Sequence, residues 1–240
     1  MENAIYIGLS QQMALKRRMD ITANNIANVN TTAFKGVQPL FEEFLVDKPS
    51  TPKLSYVQDY GVYHDNTEGA IQRTDRPLDF AISGDGYFSI ETDAGTRYSR
   101  NGNFKLDADG TIVTQSGDIL LDETGSPIRL NQNNTDIELA PDGTLTIGEG
   151  QIQKLEIVYF ENEQLLKQQG DGYYNAGENE ALQSETARVL QGSLEKSNVE
   201  PILEMTSMVD ILRSYQAAQK LLDAEHDMQM KAIEELPAIQ

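Results

Sequence analysis

The sequence predicts an α+β protein, in which N- and C-terminal amphipathic helices pair as a coiled-coil-like helical domain and a central antiparallel β domain lies between them in sequence. Apolar residues recur at helical spacing near both ends, and turn dipeptides separate short strand-like runs in the middle. The expected divisions are an N-terminal helical segment, an extended connector, the β domain and a C-terminal helical segment, at residues 1–36, 37–70, 71–190 and 191–240.

The first helix is expected to run to about Asn28. Leu15, Met19 and Ile26 recur at spacings of four and seven residues, which is the periodicity of one helical face. The Asn- and Thr-rich run that follows favours local side-chain-to-backbone hydrogen bonds over continued helix. Residues 37–70 then mix aromatic side chains with turn formers, which predicts an extended, partly ordered connector.

The middle of the chain reads as short strands joined by tight turns. Asp-Gly, Asn-Gly and Ser-Gly dipeptides supply the positive φ angles that tight hairpins need. They fall at residues 85–86, 101–102, 109–110, 116–117, 142–143 and 171–172. The strand-like runs are residues 78–82, 87–91, 111–114, 119–121, 145–147 and 155–160. Residues 106–113 and 139–146 look like one hairpin used twice.

The last helix is expected to end near Lys231. Ser197 and Glu200 match a capping box, while Pro201 suits the first turn of a helix that begins slightly later. The helix carries an apolar stripe at spacings of three, four, three and seven, formed by Met205, Met208, Leu212, Tyr215 and Leu222. Such a stripe needs a partner surface, because helix propensity alone is marginal.

The composition argues against several classes of partner. The formal net charge is −19, and 27 of the 38 acidic residues lie between positions 38 and 190. A field of this sign repels nucleic acid and anionic lipid, so neither nucleic-acid binding nor direct membrane insertion is expected. The start of the chain has no basic n-region followed by an apolar stretch, so we expect another export route if the protein acts outside the cytoplasm.

No residue pattern predicts a catalytic, cofactor or metal site. The absence of cysteine excludes disulfides, thiolate metal sites and a cysteine nucleophile. His64 and His226 have no metal-ligand spacing to each other. The Gly-Asp-Gly at residues 84–86 lacks the third glycine of a dinucleotide loop, and the calcium-like spacing from Asp107 lacks the final glutamate. Both segments are predicted to be turns.

The sequence allows two interpretations of its one basic run, Lys16 to Arg18. It is a solvated helical face, or it contacts acidic residues of the C-terminal helix, such as Glu200, Glu204 and Asp210, in the same or a neighbouring subunit. Exposed pairs of this kind are each worth under about 1 kcal/mol and would set register more than strength.

The terminal stripes likewise have two explanations. They could form an ordinary helical hairpin that caps the β domain, but the Asn and Thr residues between positions 22 and 32 suit a polar seam that fixes the register of an assembly. The predicted assembly interface comprises Leu15, Met19, Asn24, Asn25, Ile26, Asn28, Met205, Met208, Leu212, Tyr215 and Leu222.

Three segments carry a resemblance to a known family. Residues 23–35 (Ala-Asn-Asn-Ile-Ala-Asn-Val-Asn-Thr-Thr-Ala-Phe-Lys) and residues 191–199 (Gln-Gly-Ser-Leu-Glu-Lys-Ser-Asn-Val) resemble the terminal signatures of the bacterial flagellar rod and hook proteins. Residues 78–88 resemble the segment that begins their β domain. The chain length and residues 13–20 are most similar to the proximal rod member.

The resemblance implies a non-enzymatic axial subunit of the flagellar basal-body rod, which spans the periplasm. Its implied partners are other proximal and distal rod proteins, copies of itself, and the flagellar type III export apparatus. In such tubes the paired terminal helices form the layer around the export channel. A distal rod or hook-type subunit stays open as an alternative, as does, in a different class, a free-standing β-rich binding module.

Overall fold

The computed structural model describes residues 2–46, 54–130, 137–147, 151–184 and 186–235, and the chain forms two compact units. We call residues 1–27, 37–65 and 200–240 the helical unit, and residues 28–36 and 66–199 the β unit. The N-terminal signature therefore crosses from one unit to the other near residue 28. The two units are therefore not consecutive stretches of the chain, because residues 28–36 belong to the β unit although residues on both sides of them belong to the helical unit.

The helical unit contains two long helices and one hairpin. Helix α1 spans Glu2–Ala27 and α2 spans Pro201–Glu235, in agreement with the two predicted helices. Strands β1 (Val37–Val46) and β2 (Leu54–His64) pair as an antiparallel hairpin with an irregularity at Leu40/Phe41. The segment expected as an extended connector is thus extended but paired with itself, since its aromatic and β-branched residues suit a ladder.

The expected capping box is not formed. Helix α2 begins at Pro201, whose fixed φ and missing N–H suit the first helical position. The Ser197 hydroxyl instead accepts a hydrogen bond from the Val199 amide at 3.2 Å. The residues before the helix are held extended, because the Lys196 amide donates to the carbonyl of Ala70 at 2.9 Å. The Ser197 hydroxyl is thus used in a local turn before the helix.

The β unit is built from short strands. They are β3 (Ile71–Arg73), β4 (Phe80–Ser83), β5 (Tyr87–Thr92), β6 (Gly95–Ser99), β7 (Phe104–Leu106), β8 (Ile112–Thr114), β9 (Ile119–Leu120), β10 (Ile137–Leu139), β11 (Thr144–Ile147), β12 (Gln151–Lys154), β13 (Ile157–Tyr159), β14 (Lys167–Gln168), β15 (Tyr174–Asn175), β16 (Leu182–Gln183), β17 (Arg188–Gln191) and β18 (Ser193–Glu195). Two 3₁₀ turns cover Glu163–Leu165 and Gly170–Gly172.

These strands pair antiparallel throughout the described sheets, as predicted. The largest sheet runs in the order β14-β15-β6-β5-β9-β8-β7, with β13 and β16 joined at β5. Strands β10, β11 and β12 form a second sheet, and β17 pairs with β4 as β18 pairs with β3. All six predicted strand-like runs overlap one of these strands.

The repeated hairpin motif is confirmed in detail. In the first copy the amide of Asp107 donates to the carbonyl of Thr111 at 3.0 Å, and Gly110 has a φ of 81°. In the second copy the amide of Ala140 donates to the carbonyl of Thr144 at 2.8 Å, and Gly143 has a φ of 85°. The same Asp-Gly chemistry therefore makes the same turn twice.

A buried apolar core supports the β unit. Phe80, Phe88 and Phe104 lie at its centre, with ring centroids 5.4–5.7 Å apart between Phe104 and the other two. A second cluster forms around Tyr87, Phe160 and Tyr174. Burial of the aromatic and aliphatic side chains in these clusters stabilises the unit.

An ion network is buried where the two terminal signatures meet. The Glu195 Oε1 lies 2.6 Å from Lys35 Nζ, and the Glu195 Oε2 lies 3.3 Å from Arg100 Nε. All three side chains are only 1% exposed. The Lys35 amine also donates to the carbonyl of Thr67 at 2.7 Å, and the Gly69 amide donates to Glu195 at 2.8 Å.

Burial lowers the pKa of the Lys35 amine, and the Glu195 carboxylate opposes that shift. A single buried carboxylate thus faces two cations. Removing one partner of a buried ion pair is costly, because the remaining charge has lost both water and its counterion. Gly69 is required beside this network, since a Cβ there would lie 1.9 Å from the Lys196 carbonyl oxygen.

We expect Glu195→Leu to destabilise the β unit more than Lys35→Met, because only the first leaves two buried cations without their shared carboxylate. The Lys35→Met change should cost about 3–5 kcal/mol. The exposed pair Lys154–Glu123, at 3.2 Å, provides the control, and Glu123→Gln should cost under about 1 kcal/mol. Urea unfolding, followed by tyrosine fluorescence, measures the loss of unfolding free energy in each variant. Equal costs for the two buried substitutions would contradict this account.

A second titratable group tests the electrostatics of the β unit. Burial raises the pKa of the Glu163 carboxyl above its ordinary value of 4.5, with Arg100 opposing the shift. The folded state therefore holds a proton more tightly than the unfolded state, so this group's contribution to stability is lost as the pH rises from about 4.5 through the raised pKa.

We expect Glu163→Gln to gain stability relative to the unsubstituted protein over this pH window, because glutamine cannot ionise. Asp142→Asn is the control of opposite sign, since the hydrogen bond from the Thr144 amide lowers the pKa of Asp142. That variant should lose relative stability as the pH rises. The free energies of unfolding of both variants and of the unsubstituted protein, measured from pH 3 to pH 8, test these expectations. Parallel pH profiles for all three proteins would contradict the raised pKa of Glu163 and the lowered pKa of Asp142.

Candidate assembly surface

Helices α1 and α2 pack along a seam with coiled-coil spacing. Buried and half-buried residues recur at intervals of three and four along both helices. On α1 they are Ile5, Gly8, Gln12, Leu15, Met19, Thr22 and Ile26. On α2 they are Glu204, Met208, Ile211, Tyr215, Ala218, Leu222, Glu225 and Gln229. Leu15, Ile211 and Ala218 are the buried centre of this seam, with Met19 and Tyr215 packed against them.

Contacts along the seam fix its direction as antiparallel. The Gln12 side-chain amide donates to the Gln219 oxygen at 3.0 Å. A Cβ at Gly8 would lie 2.7 Å from Leu222 Cδ2, so this glycine permits close approach of the helices. Residue numbers fall on α2 as they rise on α1, which is the geometry of a helical hairpin.

Asn25 joins all three elements of the helical unit. Its amide donates to the Val37 carbonyl at 2.9 Å and to Glu204 Oε1 at 3.2 Å, and its oxygen accepts from the Val37 amide at 3.1 Å. The side chain is buried. Only an amide of this length offers both a donor and an acceptor to one backbone residue, which accounts for asparagine at this point of the signature.

The predicted interface residues fall in several places, with Asn25 at the contact of α1, β1 and α2 described above. Leu15, Met19, Ile26, Met208, Tyr215 and Leu222 lie along the internal seam. Met205 and Leu212 lie outside the seam and are exposed at 56% and 39%. Asn24 is exposed on α1, and Asn28 accepts a hydrogen bond from the Thr31 hydroxyl at 3.0 Å within the β unit. The structure therefore does not bring the predicted set together as one surface.

Sequence reasoning missed a second apolar face on each helix. On α2, Ile202 and Val209 continue the exposed line of Met205 and Leu212. On α1, Tyr6, Leu9 and Met13 form a similar line. We name these the α2 outer stripe (Ile202, Met205, Val209, Leu212) and the α1 outer stripe (Tyr6, Leu9, Met13). Each recurs at spacings of three and four, so a search for two stripes per helix would have found them.

The hairpin adds further exposed apolar surface to the helical unit. Phe44, Leu45 and Tyr60 are more than half exposed. Between α1 and the hairpin lies a groove of about 420 Å³, lined in part by Met13, Phe41 and Val57. Apolar exposure on this scale typically marks a surface that contacts another molecule.

The basic run meets the hairpin rather than the predicted acids. Arg17 Nε lies 3.4 Å from Asp59 Oδ2, and both side chains are about half exposed. Glu204 bonds to Asn25 instead, and Asp210 lies 4.0 Å from Arg213 on its own helix. Within one chain, Arg17 therefore contributes an exposed ion pair of small energy.

Neither α1 nor α2 combines the length and the apolar character that a membrane-crossing helix needs. Within the described ranges, no group of three or more His, Asp and Glu residues is placed to hold a metal ion.

Family comparisons match the chain in three consecutive parts. Residues 5–35 match the model described as flagella basal body rod protein. Residues 81–147 match the flagellar hook protein FlgE/F/G D1 domain. Residues 190–235 match the flagellar basal body rod FlgEFG protein C-terminal region.

Individual relatives align along nearly the whole chain. The flagellar basal-body rod protein FlgF of Caulobacter vibrioides is 36% identical over 245 residues, covering 100% of both chains. FlgF of Rhizobium meliloti is 35% identical, covering 98% of both chains. The rod protein FlgG of Bacillus subtilis is 30% identical, covering 95% of this chain and 97% of that protein. The chain therefore belongs to the flagellar basal-body rod protein family and is a structural subunit of the basal-body rod.

Proposed function

We propose that this chain occupies the proximal rod, in the part of the basal body that spans the periplasm, and that it assembles there through the helical unit. The observation that carries this proposal is the apolar surface left over after α1 and α2 have paired. Ile202 is 78% exposed and Met13 is 66% exposed, although both belong to otherwise well-formed helices. Side chains of this size in water favour burial by about 1.5–3 kcal/mol each.

The partners in this role are other rod proteins, proximal and distal, together with copies of the same chain. The subunit reaches them through the flagellar type III export apparatus. Its work is structural rather than enzymatic. Nucleic acid and direct insertion into the bilayer are not part of the role, because a net charge of −19 repels anionic surfaces.

The predicted interface residues contribute to assembly in two ways. Those along the internal seam, such as Leu15 and Tyr215, shape the helical unit that neighbours contact. Met205 and Leu212 offer their own side chains to a neighbour. Asn24, Asn25 and Asn28 lie at the end of α1 or just after it, where Asn25 holds the helix to the hairpin.

We expect Leu212→Asp to prevent incorporation into the rod while the purified subunit keeps its helix content, because the substituted side chain faces outward. Loss of one buried leucine costs about 1.5–3 kcal/mol per contact, repeated at every subunit. Tyr215→Asp should instead lower the helix content of the subunit itself, since it places a charge in the internal seam. Circular dichroism and basal-body fractionation separate the two effects.

Ala217→Asp is the matched control, because Ala217 is exposed on α2 and lies outside both the seam and the α2 outer stripe. It should change neither measurement. Normal incorporation of Leu212→Asp would remove the outer stripe from the interface.

The role as a whole is tested by position. The tagged chain should co-purify with detergent-extracted basal bodies and should lie on the membrane-proximal side of the distal rod in labelled electron micrographs. Recovery of the chain only in the soluble fraction, with normal basal bodies, would contradict the proposal.

A further inference from the structure

The two outer stripes lie at different levels of the helical hairpin. Gln12 pairs with Gln219 and Asn25 with Glu204, so Met13 is level with about residue 217 of α2. Ile202 therefore lies about 15 residues, or roughly 22 Å, farther along the hairpin axis. One chain cannot bring its own two stripes together, because the internal seam holds the helices in this register.

The stripes match each other in spacing. Tyr6, Leu9 and Met13 are separated by three and four residues, and Leu212, Val209 and Met205 are separated by three and four in the reverse direction. An antiparallel pair of helices with these spacings places apolar side chains opposite each other at every step. The internal seam already joins α1 to α2 in this manner.

Charge selects the antiparallel direction. The α1 outer stripe continues into Lys16 and Arg17, and the α2 outer stripe is preceded by Glu200 and followed by Arg213. Antiparallel packing places the two cations of α1 near Glu200. Parallel packing would place them near Arg213, where like charges repel. All four side chains are exposed. Arg17 and Arg213 already form exposed ion pairs with Asp59 and Asp210, which cost little to exchange for a contact with a second chain.

We propose that the α1 outer stripe of one chain packs antiparallel against the α2 outer stripe of a second copy of this chain. This inference rests on the proposed role as an assembling subunit and names the contact within it. Because the two stripes differ, the contact is head-to-tail, and a pair of chains keeps one free α1 outer stripe and one free α2 outer stripe. Such contacts extend into a filament rather than closing into a dimer.

The contact is small. It joins seven apolar side chains, which is fewer than the roughly 20–30 residues per side of a standard stable interface. One such contact is weak between free subunits and becomes effective when assembly repeats it beside other contacts. Covalent trapping is therefore the suitable measurement, and a chain without cysteine allows single thiols to be introduced cleanly.

Full-length Met13→Cys and Met205→Cys proteins would be purified, mixed in equal amounts at high concentration and oxidised. Both substituted side chains are more than half exposed, so the fold is expected to be retained, and circular dichroism checks this. The mixture should give severalfold more disulfide-linked dimer than either protein alone. The doubly substituted chain should give a ladder of higher oligomers.

Two further mixtures test the direction. Tyr6→Cys with Leu212→Cys should cross-link, whereas Tyr6→Cys with Ile202→Cys should not. Gln11→Cys, exposed on the opposite side of α1, is the matched control and should give only background with any α2 variant.

Preferred cross-linking of Tyr6→Cys with Ile202→Cys would overturn the antiparallel assignment. Preferred dimers of Met205→Cys with itself would replace the head-to-tail contact by a two-fold one. Background cross-linking in every mixture, while the same variants enter basal bodies normally, would overturn this contact and leave the rod role standing. Absence of the unsubstituted chain from basal bodies would instead contradict the rod role.

Discussion

The β unit depends on one buried carboxylate, that of Glu195. It lies between the Lys35 amine and the Arg100 guanidinium, and the three charges are almost fully removed from water. Lys35 comes from the N-terminal signature and Glu195 from the C-terminal one, 160 residues away. The charges cannot be separated without leaving at least one buried and uncompensated. The network therefore links the N-terminal signature to the C-terminal signature within the β unit.

The helical unit is limited by a different constraint, which is how much of its surface one α-helix can present to a single neighbour. A helix offers about 100° of surface to one neighbour, so a second apolar stripe must face elsewhere. Helices α1 and α2 each use one face for the internal seam, and α1 also contacts the hairpin. The α1 outer stripe and the α2 outer stripe lie at different levels of the α1–α2 pair, so they do not pack against each other within one chain. In a rod subunit this surplus is useful, because neighbours in a repeating structure can supply the missing partner surfaces.

Much of the fold could be predicted because it is local. The Asp-Gly turns, the strand runs and both helices depend on residues a few positions apart. The pairing of β1 with β2 was only partly foreseen, since tertiary context decides whether extended segments pair with each other. The division of the C-terminal stripe was also missed. Met205 and Met208 belong to the same period, but periodicity does not say which side meets α1.

The sequence by itself determined the order of elements, the repeated hairpin and, through its signature segments, the family. It did so because turn chemistry, helix periodicity and contiguous motifs are all short-range properties. Only the tertiary structure decided that Lys35 and Asn25 serve the interior of the subunit, that the basic run meets Asp59, and that Met205 and Leu212 face outward. Those outcomes depend on contacts between segments far apart in sequence, which form only when the whole chain has packed.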